Sequence, residues 1–320
     1  MLSVVIPARN AAATLGTALD SVFRQTRPAT EVLVIDDHSS DETAALASAR
    51  GARVLRADRA GLVSALNLGL RTAREPWIAR MDADDVCAPT RFERQLALVE
   101  RCDVIGTQVR VVGGGEGFQH YARWQNDLTS HEAILRERFV ESPFAHPSVI
   151  MRRDPVLRAG LYRDNEWPED YELWLRLAER GCRFGKVPEI LLDWTDHPQR
   201  TSRTDPRYRD QAFTGCKAHY LARGPAKQCR VMIWGAGAVG KRLGRALQRE
   251  GIDLEFFVDI DEKKWGRVTR GVPVRSPDCL RPRPGRLLLA AVGLRGARAL
   301  IRARAKTLGF VEGKNFFCAA

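Results

Sequence analysis

The sequence predicts an α/β protein of two units, and three observations carry that prediction. Short apolar runs alternate with helical-period stretches through about the first 100 residues. Acidic clusters stand directly after two of those runs, and a second strand–helix series opens near Arg230 with a glycine-rich turn. At 320 residues the chain is long for one ordinary core and comfortable for two.

Val4-Val5-Ile6 is an apolar run stopped by Pro7. Asn10 can cap the helix that follows, in which Leu15, Leu19, Val22 and Phe23 recur at helical spacing. Val32 to Ile35 is a fully apolar strand ending in Asp36-Asp37, and Ser39 with Glu42 has the spacing of a capping box that starts the next helix. Arg53-Val54-Leu55 is a third strand, followed by a helix marked by Leu62, Leu66 and Leu70. Trp77 to Met81 is a fourth, ending in Asp82-Ala83-Asp84-Asp85. Such alternation implies a parallel sheet covered on both faces. Both acidic clusters then lie at strand carboxyl ends, the edge where open α/β sheets bind ligands.

Further along, Pro89 can open a helix with Phe92, Leu96 and Val99 on one face, and Gly113-Gly114-Gly115 breaks the chain after a strand from Val104 to Val112. A helix from Glu169 carries Tyr171, Trp174, Leu177 and Ala178 on one stripe and closes at Gly181, which makes Trp174 a core residue. Arg207 to Leu221 is expected as a connecting helix, with Gly224-Pro225 as linker. These boundaries divide the chain into 1–205, a connecting helix and linker 206–227, and 228–320. In the last part, strands are expected at Val231–Trp234, Leu254–Val258 and Leu287–Val292, and helices through Leu247 and through Leu300, Ile301 and Leu308.

Composition narrows the class. No apolar run approaches the roughly 20 residues of a membrane helix. Met1 to Pro7 is apolar at once, lacks a basic leader and reads as a strand rather than a signal peptide, so a cytoplasmic location is expected. The seven cysteines are scattered, odd in number and without a C-x-x-C pair, which argues against a disulfide scaffold and a zinc site. The net charge of +12 is unevenly placed: residues 1–226 are balanced, and 227–320 hold 20 basic against 8 acidic residues. That surplus would attract anionic lipid headgroups or a phosphate-bearing substrate, or is an Arg-rich solvated surface; a nucleic-acid role is not expected.

The acidic clusters suggest a chemistry. A nucleotide diphosphate carries about three negative charges, so carboxylates beside it need an intervening cation, and hard oxygen ligands suit Mg²⁺ or Mn²⁺. Asp82-Ala83-Asp84-Asp85 offers such ligands, although Asp residues are also common turn formers. A fixed carboxylate at Asp36-Asp37 can accept from the N3–H of uracil, a proton cytosine lacks; the alternative is that these residues, with Ser39 and Asp41, only cap and turn. Asp170 falls in a helix's first turn, where the backbone dipole favours its ionised form. It is either a general base for an incoming hydroxyl or an ordinary first-turn acid.

Taken together, the segments from Leu2 to about Arg203 resemble glycosyltransferase family 2, enzymes of the GT-A fold. The resemblance is carried by Val4 to Asn10, Val34 to Thr43, Ala79 to Asp85, Pro89 to Leu96, His146 to Val149 and Glu169 to Arg176. It implies a GT-A type nucleotide-diphospho-sugar transferase domain followed by a second, smaller Rossmann-like α/β domain. By that resemblance Asp84 is the main metal ligand with Asp82 assisting, Asp37 contacts the base, and Asp170 is the catalytic base of an inverting transfer. Pro7 and Asn10 would lie beside the nucleotide, Asn67 near the diphosphate or sugar, and Arg80 behind the metal motif. Asp85 is a second metal contact or a helix cap. His197 falls where related enzymes carry a His near the metal or diphosphate, or is a surface His in a Pro-rich loop; His146 is structural or on the acceptor side. Trp124 and Trp167 are candidates to stack on a sugar ring. The implied cofactor is Mn²⁺ or Mg²⁺ and the implied donor a UDP-sugar. The implied acceptor is a saccharide or lipid-linked hydroxyl in polysaccharide or lipopolysaccharide assembly, with peripheral contact to the anionic inner face of the membrane through the basic C-terminal part.

Gly235-x-Gly237-x-x-Gly240 follows a strand and opens a helix, and Asp259 ends the next strand, which is the context a dinucleotide fingerprint requires. Such a turn lets a phosphate reach the helix N-terminus. The segment is similar to small Rossmann-like domains accompanying sugar-modifying enzymes, where the turn binds a nucleotide sugar or only packs. A competing class led by this motif, an NAD-binding oxidoreductase or a regulatory nucleotide-sugar-binding protein, lacks a dehydrogenase catalytic domain behind it and does not need all of Asp37, Asp82, Asp84 and Asp170.

Overall fold

Eight strands make the first sheet of the computed structural model, which describes residues 1–320. They are β1 (Leu2–Ala8), β2 (Glu31–Asp36), β3 (Arg53–Arg56), β4 (Trp77–Arg80), β5 (Val86–Cys87), β6 (Val104–Gly113), β7 (Ile150–Arg152) and β8 (Phe184–Asp196). The helices among them are α1 (Leu15–Phe23), α2 (Thr43–Ala49), α3 (Leu62–Thr72), α4 (Arg91–Leu96), α5 (Glu116–Asn126), α6 (His131–Glu137), α7 (Arg153–Ala159), α8 (Glu169–Glu179) and α9 (Thr201–Thr204). The sheet order is β3-β2-β1-β4-β7-β6-β8-β5.

The first four strands are mutually parallel, as the alternation predicts. The whole sheet is not. β7, inserted between β4 and β6, runs antiparallel to both, and β5, at the far edge, runs antiparallel to β8. Val4, Ile6, Leu15, Leu19 and Val34 are buried in one cluster, so the apolar face of α1 closes one side of the sheet. On the other side α3 lies close to β1: a Cβ on Gly69 would come within 2.4 Å of Val5 Cγ1, so only glycine permits that approach.

Three expected helix starts are displaced, each for a tertiary reason. Asn10 does not cap α1, which begins at Leu15; it sits at φ +49° and its Oδ1 accepts from Ser40 N at 2.8 Å. Ser39 and Glu42 do not form a capping box: Ser39 Oγ accepts from Asn10 N at 3.0 Å, and α2 begins at Thr43. The two loops cap each other across the sheet edge rather than capping their own helices. Pro89 precedes its helix, which starts at Arg91.

By Cα packing the chain separates into two units, the first being Met1–Ile134, Ser142–Asn165 and Glu169–Thr204, the second Leu135–Glu141, Glu166–Pro168 and Asp205–Ala320. The second is built on β9 (Arg230–Trp234), β10 (Leu254–Val258), β11 (Val268–Thr269), β12 (Val272–Arg275), β13 (Arg286–Ala290) and β14 (Phe316–Cys318), ordered β11-β12-β10-β9-β13-β14. All pairs are parallel except the β11–β12 hairpin. Its helices are α10 (Asp210–Arg223), α11 (Ala238–Arg249) and α12 (Ala297–Thr307). The helix expected from Arg207 starts three residues later, after a 3₁₀ turn at Pro206–Tyr208 whose Asp205 side chain accepts from Arg207 N. No helix in the chain is long and apolar enough to cross a membrane.

Candidate active site

The carboxyl ends of β1, β2 and β4 stand side by side. Ala8 pairs with Asp36, Asp37 N donates to Ala8 O at 2.8 Å, and Met81 N donates to Val5 O at 3.2 Å. Apolar strands thereby deliver Pro7, Asp37 and Asp82 to one edge. Asp37 is buried, and its Oδ1 accepts from Gly61 N at 2.6 Å, which pins the start of α3 to the end of β2.

Past β4, one carboxylate oxygen from each of Asp82, Asp84 and Asp85 lies within 4.8 Å of the other two. Three like charges at that spacing are tolerated only with compensation. Part comes from Arg80, 4% exposed, whose guanidinium pairs with Asp82. Part comes from the end of β8: Thr195 N donates to Asp85 Oδ1 at 2.8 Å, Thr195 Oγ1 donates to Asp84 O at 2.7 Å, and His197 Nε2 lies 3.0 Å from Asp84 Oδ2. It is incomplete. Asp85 Oδ2 is buried without a hydrogen-bond partner. Burial, then the charges of Asp82 and Asp84, hold the Asp85 carboxyl well above its ordinary value, and burial with Asp82 raises Asp84 as well. An orphaned carboxylate oxygen amid three acids is what a hard divalent cation would satisfy, so the donor set fits Mg²⁺ or Mn²⁺.

Two residues that sequence reasoning passed over complete this corner. Arg200 donates from Nη1 to Thr195 O at 2.7 Å, stacks over Trp194 at 4.9 Å, and its charge eases both Asp84 and Asp85. Arg91, fully buried, donates to Arg80 O at 3.0 Å and to Gln95 Oε1 at 3.1 Å, so the run from Pro89 to Leu96 braces the metal motif from below. An arginine in a short polar helix gives no sequence sign of complete burial. Arg200, one more basic residue in a Pro-rich loop, gives none of its partners.

Asp170 occupies the first turn of α8, and its Oδ1 accepts from Tyr171 N at 2.7 Å. Its charge acts on Tyr162, a third residue the sequence did not flag. Burial pushes the Tyr162 phenol far up, with Arg80 opposing and the Glu169 and Asp170 carboxylates adding to the rise. Its hydroxyl lies 2.7 Å from His146 Nε2. Burial, with Arg80 nearby, pushes the His146 imidazole well below its ordinary value, so the ring is neutral and shares that hydrogen bond with the phenol. Asn67 joins the same hub: its Nδ2 donates to Tyr162 O and its Oδ1 accepts from Tyr162 N, both at 2.9 Å. The amide expected near the diphosphate is thus engaged as a clip between α3 and the loop before α8.

In the second unit the glycine-rich turn divides its labour. Gly235 has φ +119°, and a Cβ on Gly240 would lie 1.8 Å from Gly235 O, so these two set the turn and the close packing of α11. Gly237 faces open space at the helix start. Asp259 receives Ala236 N at 2.9 Å, Asp261 N at 3.0 Å and Lys264 Nζ at 2.9 Å, which hold its carboxyl below the usual range against the effect of burial. Both of its oxygens staple the turn to the loop after β10.

Residues 3–161 match the family model described as glycosyl transferase family 2. The amylovoran biosynthesis glycosyltransferase AmsE of Erwinia amylovora is 31% identical over 185 residues, 56% of this chain and 69% of that protein. Among solved structures, Staphylococcus aureus TarS in complex with UDP-GlcNAc superposes with a TM-score of 0.56 at 16% identity, over 78% of this chain and 71% of that one. The glucosyl-3-phosphoglycerate synthase of Mycobacterium tuberculosis, bound to Mn²⁺, UDP and glucosyl-3-phosphoglycerate, superposes at 0.51 with 20% identity, over 70% of this chain and 79% of that one. Acidic strand ends, the buried Arg80–Asp82 pair and the sheet order β3-β2-β1-β4 therefore agree with the sequence match, and the chain belongs to glycosyl transferase family 2.

Proposed function

We propose that this chain is a metal-dependent, inverting glycosyltransferase that moves a sugar from a UDP donor to a saccharide hydroxyl in the assembly of a cell-surface polysaccharide. The observation that carries the proposal is the cluster of Asp82, Asp84 and Asp85 with His197 against it, one oxygen of which is buried and unpartnered. AmsE is named for the biosynthesis of a polysaccharide, and the mycobacterial neighbour holds Mn²⁺ and UDP, which supports the choice of donor and ion.

When bound, a divalent cation held by Asp84 and Asp82, with the free oxygen of Asp85 and His197 adjoining, would neutralise the donor diphosphate and so aid its departure. Arg80 pairs with Asp82 and fixes it in place. Asp37, anchored by Gly61 N through one oxygen, offers its carboxylate to the uracil N3–H, with Pro7 and Asn10 forming the neighbouring loop. Asp170, in the first turn of α8, accepts the proton of the attacking hydroxyl. A single displacement inverts the anomeric carbon.

Release of UDP from a panel of nucleotide sugars, with Mn²⁺, Mg²⁺ or EDTA, tests the proposal. Hydrolysis of one donor that is lost in EDTA and in Asp84→Ala is expected. With an acceptor, Asp170→Asn should keep donor binding and lose transfer by about 10²–10⁴-fold, the usual worth of a general base. Wild-type transfer in Asp170→Asn would assign the base elsewhere.

A further inference from the structure

The second unit holds a groove of about 380 Å³ whose lining includes none of the glycines of the glycine-rich turn and begins, on α11, at Lys241 directly after it. Its walls are α10 and α11, with Glu166 and Trp167 on one side and Arg270 on another. Lys241, Arg245 and Arg249 project from α11 into it at four-residue intervals, a row with a rise of about 6 Å from one cation to the next. All three are exposed and carry no ion pair. Elsewhere in this unit Lys264, Arg286, Arg302 and Arg304 each face a carboxylate within 3.0 Å. Part of the basic surplus of residues 227–320 is thus gathered, unneutralised, on one concave surface. Arg242, next in the row, pairs with Asp210 at 3.0 Å yet has a buried Nε without a partner.

The rest of the lining is not that of a purely electrostatic patch. Trp167 borders the groove over Gly215, where a Cβ would come within 3.2 Å of the indole Nε1, so glycine lets the ring approach α10 closely. Gln211 and Thr214 add neutral polar groups, and Glu166 and Glu250 add acceptors, Glu250 being shared with His219 at 3.1 Å. Cations recognise a carboxylate or phosphate, an aromatic face stacks on a sugar ring, and carboxylates accept from sugar hydroxyls. A lipid phosphate surface or a nucleic-acid backbone would offer those acids few hydroxyl donors.

We propose that the groove between α10 and α11 binds an anionic saccharide, a chain of sugars bearing carboxylate or phosphate groups, as a second carbohydrate site separate from the transferase centre. Lys241, Arg245 and Arg249 take the charges and Trp167 takes a ring. Binding is read directly, so it succeeds or fails independently of the transfer reaction proposed above.

The test is calorimetry of the full chain with tetragalacturonate, with the neutral maltotetraose and phosphatidylglycerol vesicles alongside. Tetragalacturonate should bind, more weakly as salt rises, and maltotetraose should not. Lys241→Ala/Arg245→Ala/Arg249→Ala, at exposed positions that leave the fold intact, should weaken binding about tenfold or more. Trp167→Phe should keep binding that Trp167→Ala loses. No binding of tetragalacturonate, or equal binding by the triple variant, overturns the proposal. So does loss in that variant of vesicle binding alone, which would make the groove a headgroup site.

Discussion

Replacing Asp85 by Asn should make the metal-free protein more stable and the metal-loaded protein less so. Asn preserves the acceptor that Thr195 N uses and puts an amide where Asp85 Oδ2 is buried without a partner, facing the oxygens of Asp82 and Asp84. At the 4.8 Å limit of this cluster, each pair of like charges costs about 1–3.5 kcal/mol for effective dielectrics between water and a protein surface. The sign with pH follows from the raised carboxyl of Asp85. Its folded form holds a proton that the unfolded chain has released, so its contribution is complete below the unfolded value and is lost as pH rises through the folded one. The variant should therefore match the wild type near pH 4 and exceed it at pH 8 by about 1–3 kcal/mol, or roughly 2–10 °C in melting temperature for a domain of this size. Saturating Mn²⁺ should reverse the order, since a ligand at a hundred times its dissociation constant adds about 2.7 kcal/mol only where it still binds. Thermal unfolding in EDTA and in Mn²⁺ at both pH values reads all four states. A metal-free variant less stable than wild type at pH 8, or equal protection of both proteins by Mn²⁺, would refute the view that these acids are held together for a cation.

Other outcomes follow from particular contacts. Gly240→Ala should destabilise the second unit by about 1–3 kcal/mol, because the new methyl meets Gly235 O at 1.8 Å and α11 must move off β9; thermal unfolding checks it. Lys186, 3% exposed in β8, has its ammonium pushed down to about 7 by burial, although Gln125 O and Pro143 O accept from it. Its unfolded form binds more protons between pH 7 and 10.5, so this one group should raise stability with pH, by about 2 kcal/mol from pH 7 to 9. Lys186→Met should remove that increment from the difference between urea titrations at the two pH values, and an unchanged slope would contradict it.

What the sequence determined by itself is local in character. Four apolar runs, two of them with acidic ends, are enough to specify β1, β2, β3 and β4 as parallel neighbours, because strand period and crossover rules act over short stretches. Asp82, Asp84 and Asp85 were legible for the same reason: they are consecutive with a strand end. The tertiary structure decided what depends on partners distant in the chain. His197 meets Asp84 across more than a hundred residues, Tyr162 gathers His146 and Asn67 through contacts no period encodes, and Asn10 and Ser39 exchange the capping roles each seemed to hold for its own helix. Nor does any pattern distinguish a buried, bracing arginine such as Arg91 from the solvated arginines around it. Burial and charge compensation are set by everything that surrounds a side chain, and only the folded chain supplies those surroundings.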